Sequence, residues 1–205
     1  MSQRMQAPSD HLLRTMAAVP VNSFILDLGC GEGRHTEPLL RLGFPVHGCD
    51  PRPDAVERTR GRIKDIVGEE DAENCVQVAS LAEMDYPDES FDWVVVYHGE
   101  VFGDRPEDVY QLLSEARRML KPGGWAYVTF PAAAVDIDDQ ERTAGDGAPA
   151  SSPAQSAAGS VSIDELEAQQ ERANLATASA PEIAEEPGAV RVRAIFRRVD
   201  PNTPA

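Results

Sequence analysis

Lysine is almost missing from these 205 residues: Lys64 and Lys121 are the only two, and basic side chains number 19 against 35 acidic ones. The resulting net charge of −16 and isoelectric point near 4.5 exclude nucleic acid and anionic membrane as expected partners, because either is bound by basic side chains that displace counterions. So much carboxylate with so little lysine has two readings. One is adaptation to a salty cytoplasm, where screening removes self-repulsion; the other is genome-wide composition bias plus one acidic loop. Cysteine is scarce as well. Cys30, Cys49 and Cys75 are odd in number and stand in no metal-binding spacing, which predicts reduced thiols with neither a disulfide framework nor a metal site. No apolar run approaches the ~18 residues of a membrane span. The opening residues lack the apolar stretch of a secretory signal, so the expected location is the cytoplasm.

What is present suits one globular domain over residues 1–205, large enough to bury a core unaided. Apolar runs alternate with helical patterns as in a parallel sheet with crossover helices. Strands are predicted at Ser23–Leu28, Pro45–Cys49, Cys75–Val78, Phe91–Tyr97 and Trp125–Phe130. A first helix runs from about Arg34 to a stop at Gly43, and a second opens at Pro53, carries Val56, Thr59, Ile63 and Ile66 on one face, and ends at Gly68. A third is capped by Asp104 and buries Val109, Leu112, Leu113, Ala116 and Leu120. From Ala132 to about Val161 the chain turns to Ala, Ser, Gly, Pro and Asp, too little apolar surface to offset the entropy of ordering it, and a flexible insertion is predicted. Ser162 and Glu165 then form a capping box that opens a helix. Val190–Val199 alternates as a final strand, with Val190, Val192, Ala194 and Phe196 on one face and Arg191, Arg193, Ile195 and Arg197 on the other.

The chemistry concentrates where the first strand ends. Ile25-Leu-Asp-Leu-Gly-Cys-Gly-Glu-Gly33 puts glycines at 29, 31 and 33 between a strand and a helix. Backbone without side chains can approach a ligand there, at the carboxyl edge of the sheet where open α/β folds bind. Asp50 ends the second strand 21 residues beyond Gly29, the place of an acceptor for a ribose diol. A dinucleotide fold wants G-x-G-x-x-G, but Arg34 occupies the position of its third glycine.

These residues resemble the class I S-adenosylmethionine-dependent methyltransferases, from about Phe24 to Phe130. Asp27–Gly33 is similar to that family's first motif, Gly48-Cys-Asp50 to its second-strand acid, Tyr86–Asp92 to its approach to strand four, and Ala116–Gly124 to its turn into strand five. The resemblance implies a Rossmann-like, doubly wound, mostly parallel sheet with a C-terminal antiparallel strand, and S-adenosylmethionine as cofactor. It implies Gly29, Cys30 and Gly31 against the methionine part and ribose, with Gly33 completing the turn, Asp27 near the amine, and Asp50 on the ribose hydroxyls. Ser80 stands where relatives commonly carry an Asp beside the adenine amino group, a departure that leaves the backbone of Leu81 as a second source of that contact. Tyr97 and His98 would line the cofactor or acceptor side.

A strand-end histidine ordinarily fills a structural role; this strand end points at the site, so His98 is the candidate for catalysis or acceptor contact. Glu100, two residues on, is either a solvated loop carboxylate or an acceptor contact. His11, His35 and His47 share no ligand spacing. The expected activity is methyl transfer from S-adenosylmethionine to a small molecule by in-line displacement. The alternatives are a non-catalytic S-adenosylmethionine-binding module and a nicotinamide-dependent oxidoreductase. Acceptor, pathway and oligomeric state are not readable from these residues.

Overall fold

The computed structural model of the chain describes residues 7–97, 99–103, 105–133, 160–186 and 189–199. In chain order the elements are α1 (Asp10–Met16), β1 (Ile25–Leu28), α2 (Thr36–Arg41), β2 (Val46–Asp50), α3 (Pro53–Val67), α4 (Glu69–Cys75), β3 (Val76–Val78), β4 (Phe91–Val96), α5 (Pro106–Met119), β5 (Leu120–Pro131), α6 (Ile163–Arg172), β6 (Ala176–Glu186) and β7 (Ala189–Arg197). Single 3₁₀ turns at Leu81–Glu83 and Gly99–Phe102 follow β3 and β4.

The strands form one sheet in the order β3-β2-β1-β4-β5-β7-β6. The first five are mutually parallel. β7 runs antiparallel to both β5 and β6, so it alone opposes the rest. The order reverses between β1 and β4, and the crevice beyond the carboxyl ends of those two strands is where an open α/β sheet receives a ligand.

Apolar runs covered on both faces explain the central strands. Along β4, Val94 and Val96 enter the core beneath α5 and α6 with Leu112, Leu113 and Leu166. Trp93, Val95 and the following Tyr97 enter the opposite core with Leu12 and Met16 of α1 and Leu39 of α2. The period-2 pattern of the last strand holds: Val192, Ala194 and Phe196 are buried against the α5/α6 side, and Ile195 packs on the other.

Several sequence expectations need correction. The C-terminal part contains two strands, because β6 precedes β7 at the sheet edge; its Ala/Ser/Glu composition leaves all but Pro181 and Ala184 partly or fully exposed and offers no apolar alternation to read. Helices α1 and α4 were not anticipated. Asp104 lies outside the described residues, and the N-cap of α5 is Arg105, whose backbone N–H donates to the Asp108 carboxylate. Strand β5 begins at Leu120, ahead of the Gly123–Gly124 turn expected to introduce it. The Ser162–Glu165 capping box is present in both directions. Most of the 132–161 stretch falls outside the described residues. Its two ends are held side by side, since Val161 N–H donates to Pro131 O at 2.8 Å and Ala133 N–H to Val161 O at 3.1 Å.

Candidate functional site

The glycine turn after β1 is built by backbone geometry. Gly29, Gly31 and Gly33 have φ of 81°, 57° and 82°, the left-handed region that favours glycine. A Cβ on Gly33 would stand 3.1 Å from the Thr59 methyl, so this glycine also sets how closely α3 approaches. The N–H groups of Gly29 and Cys30 donate to Cys49 O at 2.8 and 3.0 Å, locking the turn to the end of β2. The Cys30 side chain points inward, and burial pushes its thiol well above the ordinary range, with Cys49 pushed up to about 12. Both thiols are therefore packing groups, not nucleophiles.

Two carboxylates lie behind this turn with almost no solvent exposure, Asp27 at 1% and Asp50 at 0%. Thr36 Oγ1 donates to Asp27 Oδ2 at 2.6 Å. Burial, reinforced by the charge of Asp50, raises the Asp27 pKa to about 6 despite that bond. Asp50 is saturated with donors. Gly31 N–H reaches Oδ2 at 3.0 Å; Arg52 supplies its backbone N–H and Nε to Oδ1 at 3.0 and 2.9 Å and Nη2 to Oδ2 at 3.2 Å. A dry pair of acids at the mouth of a glycine turn suits a ligand that brings positive charge to one and hydroxyl donors to the other.

Around this centre, Ala79 N–H donates to Asp50 O at 3.2 Å and sets Ser80 and Leu81 beside it. The Ser80 hydroxyl is engaged with Glu83 Oε2 at 2.7 Å. Tyr97 is 1% exposed and its ring is part of the core, 4.1 Å from the His35 ring and beneath the guanidinium of Arg34. Its hydroxyl donates to Glu186 and its carbonyl accepts from Thr129. His98 lies outside the described residues; Glu100 is placed only by the backbone of its 3₁₀ turn. Among the described residues, no group of three or more His, Cys, Asp or Glu side chains could hold a metal ion.

Sequence reasoning missed the N-terminal strap. Arg34 Nε donates to Ala7 O at 2.6 Å and Ser9 N–H to His35 Nε2 at 3.1 Å, so the two residues after the glycine turn tie residues 7–9 across it. His11 meets the Tyr127 hydroxyl at 3.1 Å, a pairing over 116 positions that no local pattern announces. Arg52 and Thr36 were also overlooked. The sequence offers only their positions, a cation two residues past a strand-terminal Asp and a hydroxyl nine past Asp27.

Residues 25–124 match the methyltransferase domain family. That stretch, just under half of the chain, is similar to methyltransferase domains. Among curated proteins, the chain is 31% identical over 110 residues to a demethylmenaquinone methyltransferase of Tropheryma whipplei, covering 53% of this chain and 42% of that protein. The chain thus spans less than half the length of that curated relative. A SAM-dependent methyltransferase of Methanosarcina mazei superposes with a TM-score of 0.66 at 16% identity, over 95% of this chain and 99% of that one. The cyclase SpnF superposes with a TM-score of 0.68 at 15% identity, over 93% and 81% of the two chains. At such identities the structural likeness establishes the fold of the chain and leaves its reaction to be argued from the site.

Proposed function

We propose that the chain transfers a methyl group from S-adenosylmethionine to a small-molecule acceptor. The observation that carries this reading is the buried acid pair, Asp27 and Asp50, behind a glycine turn at the switch point of the sheet. Asp27 would take the cofactor's α-ammonium, Asp50 its ribose hydroxyls, the Gly29–Gly33 turn its methionine and ribose, and Ser80 and Leu81 its adenine. Tyr97 supports this wall from beneath, with Arg34 between its ring and solvent. When bound, the cofactor supplies a sulfonium whose methyl carbon is already electrophilic. The chain's own contribution is to hold acceptor and cofactor in line, an alignment that can supply roughly 7 to 11 kcal/mol, and to accept the acceptor's proton where it has one to lose. His98, with Glu100 nearby in sequence, is the candidate for that proton.

Charge and thiols support the remaining assignments. A net charge of −16 disfavours nucleic acid, and all three cysteines are free, as suits a reducing compartment such as the cytoplasm. No described helix is long and apolar enough to cross a membrane. The test is turnover of methyl-labelled S-adenosylmethionine against a panel of small acceptors. Label transfer to none of them, with S-adenosylhomocysteine bound, would favour a binding module; binding of NAD in its place would favour the oxidoreductase.

Two consequences are measurable at once. Asp27 titrates near pH 6 in the folded chain, and only its ionised form attracts an ammonium. Affinity for S-adenosylhomocysteine should therefore be level above pH 7 and fall below pH 6, approaching tenfold per unit. Calorimetry at stepped pH would show this, and Asp27→Asn should bind weakly with that pH dependence removed. We further propose that residues 132–161 are an insertion in one domain. Since Pro131 and Val161 are joined by a hydrogen bond, replacing residues 134–159 by a short linker should leave cofactor affinity unchanged and raise stability by about 1 to 2 kcal/mol through the shorter loop. Lost turnover with cofactor binding intact would instead assign the segment to the acceptor site.

A further inference from the structure

A cavity of about 550 Å³ opens between the N-terminal strap with α1 and the end of β6 beside Arg193 of β7. It adjoins the proposed methyl-transfer site through two residues. Arg34 follows Gly33 directly and stands 4.9 Å from the centre of the Tyr97 ring, and Glu186 accepts the Tyr97 hydroxyl. Charged side chains of both signs line it beside Ala7 and Pro8: Asp10, Glu185 and Glu186 face it together with Arg14, Arg34 and Arg193. In a chain with 35 acids and 19 bases, three of each around one opening is a local balance that the composition does not impose.

Some of these charges have internal partners. Arg193 is paired with Glu182 at 2.6 Å, and Arg34 donates to Ala7 O. The side chains of Arg14 and Glu185 make no hydrogen bond or ion pair within the described part of the chain. His11 also lines the cavity. Burial first, then the charges of Arg193 and Arg14, lower its pKa against the opposing pull of Glu182 and Glu186. Near neutral pH the cavity's charge pattern is thus set by its arginines and carboxylates.

Such a wall discriminates between acceptors. An isoprenoid or sterol body would strip water from ionised side chains and return no hydrogen bonds, the costly way to bury charge. A ligand carrying charge of both signs replaces that water with charge-assisted bonds. We propose that this cavity is the acceptor subsite and that it takes a compact zwitterion, with the carboxylate on Arg14 and Arg34 and the ammonium beside Glu185. The proposal rests on the methyl-transfer reading for its meaning, though the binding it predicts is measurable without turnover.

The experiment is calorimetric titration of the chain saturated with S-adenosylhomocysteine. The probes are a ladder of ω-amino acids from glycine to 6-aminohexanoate, the matching monocarboxylates and monoamines, and a decyl-substituted quinone. One member of the ladder should bind at least tenfold more tightly than either single-charge analogue. Arg14→Gln should abolish the advantage over the monoamine, and Glu185→Gln the advantage over the monocarboxylate, with S-adenosylhomocysteine affinity unchanged in both. Saturable binding of the quinone in preference to the ladder, equal binding of all charged probes, or no saturable binding by any of them overturns the assignment. Failure of S-adenosylhomocysteine itself to bind would count against the cofactor site instead.

Discussion

Asp50→Ala is expected to weaken S-adenosylhomocysteine binding by about 10- to 100-fold, the value of hydrogen bonds from a diol to a charged acceptor, about 1.5 to 3 kcal/mol. The geometry adds a second expectation of opposite sign. Both oxygens of Asp50 already accept from Arg52, whose side chain is 55% exposed while the carboxylate is fully buried. The ribose can take those acceptor positions only as the guanidinium gives them up. Arg52→Gln should therefore tighten binding, by no more than about fivefold because an ion pair with one solvated member is worth about 0.2 to 1 kcal/mol. Added salt should narrow the difference between wild type and Arg52→Gln, since screening weakens the competing pair. Weaker binding by Arg52→Gln would show that Arg52 contacts the cofactor directly.

His98→Ala is expected to lower turnover at least ~10²-fold for an acceptor that must lose a proton, the usual scale of general base catalysis. Its neighbour in sequence, Tyr97, is fixed through the carbonyl bond from Thr129 and the hydroxyl bond to Glu186. Imidazole is the side chain whose charge change ordinarily falls nearest neutral pH, and its neutral form can accept a proton there. Cofactor affinity should be preserved and the acidic limb of the pH–rate profile should disappear. A loss below tenfold with the profile unaltered would assign catalysis to alignment alone. An acceptor that is already ionised needs no base, and the variant then costs only packing.

The residues that specify this fold locally were the legible ones. Glycine at 29, 31 and 33 has few uses between a strand and a helix, and the structure puts positive φ at all three. Continuous apolar runs gave β1 and β4, and strict alternation gave β7, because those patterns follow from burial on two faces or one. Strand β6 was invisible for the complementary reason. It lies at an edge, Ile183 is 40% exposed, and its pairing depends on β7 and not on any pattern of its own. At the site, Asp50 could be singled out from its spacing to Gly29, and Asp27 from the resemblance its motif carries. Their partners Thr36 and Arg52 were close in sequence yet unread, because neither type signals a site alone. Arg34, His35 and His11 could not be placed from the sequence, since the contacts that define them reach across 26 to 116 positions.

The buried acids behind the glycine turn, Asp27 and Asp50, are proposed to form an S-adenosylmethionine site. The most direct test is calorimetric titration of the purified chain with S-adenosylhomocysteine and, separately, with NAD. One saturable site for S-adenosylhomocysteine, lost in the Asp27→Asn, Asp50→Ala double variant, and no binding of NAD is the predicted result. Binding of NAD, or S-adenosylhomocysteine affinity unchanged in the double variant, would contradict it.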